Sequence, residues 1–315
     1  MNFLKPCMER LKGRRWEYIR SKWLHHIPHF PEAGCVPQNS IDEISGFTPL
    51  ALRLATATMS EFEKAKAAEK KTGHYSMPDT AVEEELPGLR EAVFAESLFL
   101  LHKARHVVGT AEIQVCGGVR TWALANAYQG AFFAAKATLG FLGVTFPEYQ
   151  GKAIAADLFP YPVKSGDEYT GCAFHYLGVR MDHRQTWEMY QRLLGVSVVE
   201  IWPKKIVNKL KSVESKYFAK QRNDIHYKNN GWILGDLNEF DLSAGFGDSQ
   251  VWDDGLDFDR DDISMGIALS VLKLGMLLVQ DLEKSSAKLT PEIKLLSDCV
   301  ESGRHPMYGE LLLSQ

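Results

Sequence analysis

The run from Ala123 to Phe146 constrains the fold more than any other segment of the chain. Ala125, Tyr128, Phe132, Ala135 and Leu139 recur at the spacing of one helical face, and Ala131, Ala134, Ala135 and Ala137 leave room for a neighbouring helix to approach closely. A helix of that kind has to be covered by other elements. Asn126, Gln129 and Lys136 interrupt the run, which argues against a membrane span. The second apolar stretch, Ile267 to Val279, is too short for a span and contains Lys273. Both are expected to be buried helices of a soluble, mainly helical bundle.

Start and stop signals place the other helices. Phe47 to Lys71 has Thr48 as its expected N-cap and Pro49 at the first helical position. It continues through Leu50, Leu54, Met59 and Phe62 into a Lys70-Lys71-Thr72-Gly73 stop. Leu89 to Val108 carries Val93, Leu98, Leu101 and Val108, and Arg120 to Leu142 follows, ended by Gly143. Later helices are expected over Thr186 to Leu194, Lys204 to Tyr227 behind Pro203, Ile263 to Leu282 and Pro291 to Val300. Asn229, Asn230 and Gly231 stop the long basic helix, and Asp261 or Asp262 is expected to cap the one after it. The basic stretch Met1 to Ile27 has Trp16, Ile19, Trp23 and Ile27 at helical spacing and lacks a signal peptide's apolar run and cleavage site, so it reads as a docked or surface helix. Thr72 to Pro87 is polar and turn-rich, the best linker candidate. Thr145 to Arg184, punctuated by Pro147, Pro160, Pro162, Gly151, Gly166, Gly171 and Gly178, reads as an irregular insertion with room for a short strand or hairpin. The β-branched run Val196 to Ile201 stays open in type.

Composition excludes more than it identifies. The 315 residues are 45% hydrophobic and 24% charged, ordinary for a soluble globular protein. Cys7, Cys35, Cys116, Cys172 and Cys299 are scattered and never form a C-x-x-C pair, which argues against a disulfide framework or a zinc site and for a reducing cytosol. Asp257-x-Asp259-x-Asp261 fails as a calcium loop, with Asp262 where glycine is needed and Ala268 where glutamate is needed. His25 and His29 have the spacing of a metal pair but no carboxylate or thiol close in sequence. Neither a Gly-rich phosphate loop nor a nucleophile-elbow motif occurs. No metal and no cofactor are expected. Trp187, Trp202, Trp232 and Trp252 suit either base stacking or core anchoring, and His175, Arg180, His183 and Arg184 suit either a substrate groove or solvent.

The net charge of -4 hides a sharp asymmetry. Lys204, Lys205, Lys209, Lys211, Lys216, Lys220 and Arg222 form a basic run with Glu214 its only acid, whereas Asp236 to Asp262 is acidic with Arg260 its only cation. At the end of the basic run stand Arg222, Asn223, Asp224, Ile225, His226 and Tyr227. On a helix, residues four apart share a face, so Arg222 and His226 project together, with Asn223 and Tyr227 adjoining. A guanidinium clamps a phosphate and an imidazole moves a proton near neutral pH, so the pair suits phosphodiester chemistry. Lys209, Lys216 and Lys220 are the candidate RNA-backbone contacts. The alternative from the same residues is plainer: cations in a helix's last turn offset its dipole, and a basic run is a solvated face.

The sequence Asn126-Ala-Tyr128-Gln-Gly-Ala-Phe132-Phe133-Ala-Ala-Lys136-Ala-Thr-Leu139 resembles a characteristic helix of HEPN (higher eukaryote and prokaryote nucleotide-binding) domains. Arg222-Asn223-Asp224-Ile225-His226-Tyr227 is similar to the Arg-Asn…His signature on a later helix of that family. The resemblance covers mainly Leu89 to Leu282. It implies an all-α, HEPN-like helical bundle, with residues 1–85 an accessory helical region. Residues 86–315 would form the HEPN-like domain, carrying the irregular insertion at about 145–185 and an acidic loop at about 235–262. By the same resemblance Arg222 and His226 are catalytic in a metal-independent endoribonuclease, supported by Asn223, Asp224 and Tyr227. The implied setting is a cytoplasmic homodimer acting on RNA in toxin-antitoxin or antiviral defence, with an antitoxin or sensor protein as a further partner and no membrane. The rival function is a non-catalytic module that dimerises or binds nucleotide or a partner protein.

Overall fold

The computed structural model describes residues 11–30, 37, 40–74, 81–116, 120–160, 171–214 and 263–301. Its helices are α1 (Trp16–Trp23), α2 (Phe47–Thr72), α3 (Leu89–Cys116), α4 (Arg120–Phe141), α5 (His183–Val196), α6 (Lys204–Ser212), α7 (Ile263–Glu283) and α8 (Thr290–Glu301). Its strands are β1 (Ala81–Glu84), β2 (Val144–Thr145), β3 (Glu148–Tyr149), β4 (Lys152–Asp157) and β5 (Cys172–Tyr176).

The alanine-rich run is the centre of the molecule. Helix α4 packs along α3 and against α7 and α5. Gly130 lies against Val108 and Ala104, and Gly140 against Ser97 and Val93, so α3 and α4 run antiparallel. The approach is close enough that a Cβ on Gly140 would overlap Ser97 Oγ at 1.9 Å. Ala127, Ala131, Ala134, Ala135 and Ala137 are all fully buried. Gly143, at φ +79°, ends α4 in the left-handed region that glycine enters without strain. Helix α7 covers the expected Ile263 to Leu282 and one residue more. Its part Met265–Glu283 is long and apolar enough to cross a membrane, and most of it is buried inside the protein.

The all-α expectation is overturned. An antiparallel five-stranded sheet has the order β1-β5-β4-β2, with β3 also pairing with β4. Its register sets Ala81 opposite His175, Ile154 opposite Tyr176 and Val144 opposite Asp157. Four of the strands occupy the segment expected to be irregular, and β1 lies in the segment expected to be a linker. The physical reason is visible in the strands themselves. Every residue from Ala153 to Asp157 is buried, so β4 is covered on both faces and shows no polar-apolar alternation. Strand β1 is rich in glutamate, a poor strand former, and is held by its ladder with β5.

The first helix is docked. Trp16, Ile19 and Trp23 are buried, Trp16 Nε1 donates to Asp281 at 2.8 Å, and Trp23 Nε1 donates to the carbonyl of Phe141 at 2.6 Å. The N-cap of helix α2 is Gly46, two residues before the expected Thr48. Pro49 therefore sits within the first turn, where its missing N–H has no intrahelical acceptor to lose. Trp187 and Trp202 are core residues, Trp202 donating to the Leu274 carbonyl at 3.0 Å. Val196–Ile201 forms no strand; Val198 makes a single parallel bridge with Arg15.

Candidate functional site

Of the residues singled out for RNA chemistry, Arg222, Asn223, Asp224, His226, Tyr227, Lys216 and Lys220 lie outside the described residues, as do Trp232, Trp252 and the acidic run. Lys209 is described, half-buried on α6. The continuous helix expected over Lys204 to Tyr227 is interrupted: α6 ends at Ser212, and Val213 is extended at φ -71°, ψ 129°. Gln191 on α5 explains the stop. Its amide donates to the Leu210 carbonyl at 3.0 Å and also to that of Val213, satisfying acceptors a continuing helix would have used. Leu210 anchors α6 in the core, leaving Lys204, Lys205 and Lys211 exposed.

The described residues line a partly open cavity of about 280 Å³ between α3, α4 and the β2–β3 corner. Val93, Glu96, Ser97 and Leu100 face it from α3, and Phe132, Lys136, Leu139 and Gly140 face it from α4. Each set follows the i, i+3/i+4, i+7 rule of one helical face. Asp42 closes one side and Glu148 another. Burial pushes the Glu96 carboxyl above the ordinary carboxylate range; Lys136 opposes that rise and Asp42 adds to it. Neither Glu96, Asp42 nor Glu148 belongs to a sequence motif, and Lys136 stands out in the sequence only as a cation within an apolar helix. The usable signal was a glutamate at helical spacing from the apolar Val93 and Leu100.

A second perturbed acid lies further along α3. Burial raises the Glu112 carboxyl from 4.5 to about 7, with Arg105 as the opposing influence. Arg105 runs past Gly109, whose added Cβ would lie 3.4 Å from Nη1. The raised value fixes the sign of a pH effect. Below pH 4.5 both folded and unfolded chains hold the proton; between 4.5 and 7 the unfolded chain releases it first, so stability falls; above 7 the loss is complete. Glu112→Gln should therefore gain up to about 3 kcal/mol relative to wild type between mildly acidic and mildly alkaline pH. Urea unfolding of both proteins across that range checks it, and a difference that does not vary with pH would refute the assignment.

His183, considered for a substrate groove, is instead stacked on Phe132 at 4.1 Å between ring centroids, with Nδ1 2.8 Å from the Tyr128 hydroxyl. Arg180 faces Glu148 at 3.6 Å and Arg184 faces Glu188 at 3.0 Å. His26 meets Glu91 at 2.7 Å, a partner far away in sequence. Burial pushes the Cys172 thiol up to about 12, which removes it as a nucleophile near neutral pH. Among the described residues no group of three or more His, Cys, Asp or Glu is arranged to hold a metal ion. Comparisons with protein-family models, curated proteins and solved structures returned no match.

Proposed function

We propose that the chain is a HEPN-like, metal-independent endoribonuclease that works in the cytoplasm as a homodimer, in toxin-antitoxin or antiviral defence. The observation that carries this reading is the Arg222 and His226 pair at the end of a basic run. Support comes from the exposed lysines of α6, which present positive charge to a phosphate backbone just upstream of the pair. His226 takes the proton of a ribose 2′-hydroxyl, and that oxygen attacks the adjacent phosphorus. Arg222 neutralises the charge that develops on the non-bridging oxygens. The leaving 5′-oxygen is protonated by His226 of the second subunit, and the products are a 2′,3′-cyclic phosphate and a 5′-hydroxyl.

A second reading rests on one observation: only three residues separate Arg222 from His226, shorter than the usual family spacing. On that reading the same basic face binds RNA or a partner without cutting. The two separate on incubating purified protein with mixed RNA in excess EDTA, alongside Arg222→Ala and His226→Ala. Cleavage to cyclic phosphate ends that disappears in both variants is the expected result. Equal cleavage by all three proteins overturns the assignment, and RNA retention without cleavage favours the binding module.

A further inference from the structure

The cavity between α3 and α4 has the chemistry of a ligand site. Glu148 faces Arg180, which leaves Asp42 and Glu96 against Lys136, an excess of negative charge. Glu96 has no hydrogen bond or ion pair among the described residues, although burial has removed much of its water. Glu96 is only partly buried, so its carboxylate is accessible from the cavity, and an entering ammonium supplies both donors and opposite charge. The remaining lining is mixed, with the Phe132 ring, Leu100 and Leu139 as its apolar walls and Ser40, Ser97, Thr145 and Thr186 adding polar groups between them.

We propose that this cavity binds a small primary amine with an apolar body, its ammonium held between Glu96 and Asp42 and its body packed against Phe132, Leu100 and Leu139. The volume, about 280 Å³, lies at the small end of the ~300–1,000 Å³ typical of ligand pockets, which suits one ring and a short chain. Small anions are disfavoured, because they would face two carboxylates for one lysine. A free amine and an amino acid share the ammonium chemistry and differ at Lys136, which is exposed at the rim and positioned to take a carboxylate.

The test is calorimetric titration of the full chain at mildly alkaline pH with phenethylamine, phenylalanine and hydrocinnamate. Phenethylamine is expected to bind at one site, and Glu96→Gln to weaken it about tenfold, the loss of one charge-assisted contact. Glu96→Gln removes a desolvated charge, so its fold is not at risk. Asp42→Asn, at an exposed position, should weaken binding about threefold by reducing the opposing charge. Phenylalanine binding more tightly than the amine assigns Lys136 to the ligand carboxylate; weaker binding assigns the site to free amines. Either result upholds the ammonium site. Hydrocinnamate binding as well as phenethylamine, amine affinity unchanged in both variants, or no binding of either amine overturns the proposal.

Discussion

Asp157→Ala is expected to cost about 3–5 kcal/mol of folding stability, because it strands a buried guanidinium. Arg14 and Asp157 are 2% and 4% exposed. Arg14 Nη1 and Nη2 donate to the two carboxylate oxygens at 2.7 and 2.5 Å. Asp157 Oδ1 also accepts from the backbone N–H of Phe159 at 3.2 Å, so the substitution takes the acceptor from three donors, Arg14 Nη1, Arg14 Nη2 and the Phe159 N–H. The pair ties the segment before α1 to the end of β4. A matched apolar replacement, Arg14→Met with Asp157→Leu, removes both charges together and should recover most of that loss, the Phe159 N–H alone staying without its acceptor. Urea denaturation of the wild type, the single variant and the double variant forms the comparison. A single variant within about 1 kcal/mol of wild type would remove the buried pair from the account of this fold.

That pair also shows where sequence reading ran out. Its partners stand 143 positions apart, and nothing local marks Asp157 as the acid that neutralises Arg14. The long helices were legible because periodicity, caps and length agree. Val93, Leu98, Leu101 and Val108 are all buried, and Gly73 and Gly143 stop their helices as expected. The sheet was not legible, because its strands are short, separated by proline and glycine, and in β4 covered on both faces. A run such as Ala153-Ile154-Ala155-Ala156 has no period that distinguishes a buried strand from a helix fragment. The end of α6 was hidden for a different reason. Lys204 to Tyr227 is locally a good helix, and what stops it at Ser212 is a side chain on another helix, Gln191.

The candidate sites divide along the same line. Arg222 and His226 stand out as candidates because their chemistry is explicit within six consecutive letters. The cavity needed two helices to meet: Glu96 acquires its raised carboxyl only when the Phe132–Gly140 face of α4 closes over the Val93–Leu100 face of α3. Its one local clue was an acid at helical spacing from the apolar Val93 and Leu100. His183 gives the converse case, since the residue considered for a groove is packed against Phe132 and Tyr128.

Trp23→Ala is the second change with a large expected effect, about 3–5 kcal/mol of destabilisation, because the side chain fills a space that its neighbours cannot close over. Trp23 is fully buried, with edge-on contacts to Phe94 at 5.2 Å and Phe159 at 4.7 Å between ring centroids. Its indole N–H also satisfies the carbonyl of Phe141, one of the last in α4, where helix geometry leaves acceptors without intrahelical donors. Trp23→Phe separates the two contributions. It keeps most of the apolar volume but leaves that carbonyl without its indole donor, so it should cost about 1–3 kcal/mol, less than the alanine variant. The order wild type, Trp23→Phe, Trp23→Ala in denaturation midpoint is the result expected of a helix docked through its tryptophan. Were α1 only a surface helix, both variants would unfold at the midpoint of wild type. The bond runs from α1 to the end of α4, and α4 lines the cavity at Phe132 and Lys136. Loss of Trp23 should therefore weaken phenethylamine binding in the folded protein, and unchanged affinity would confine its effect to stability.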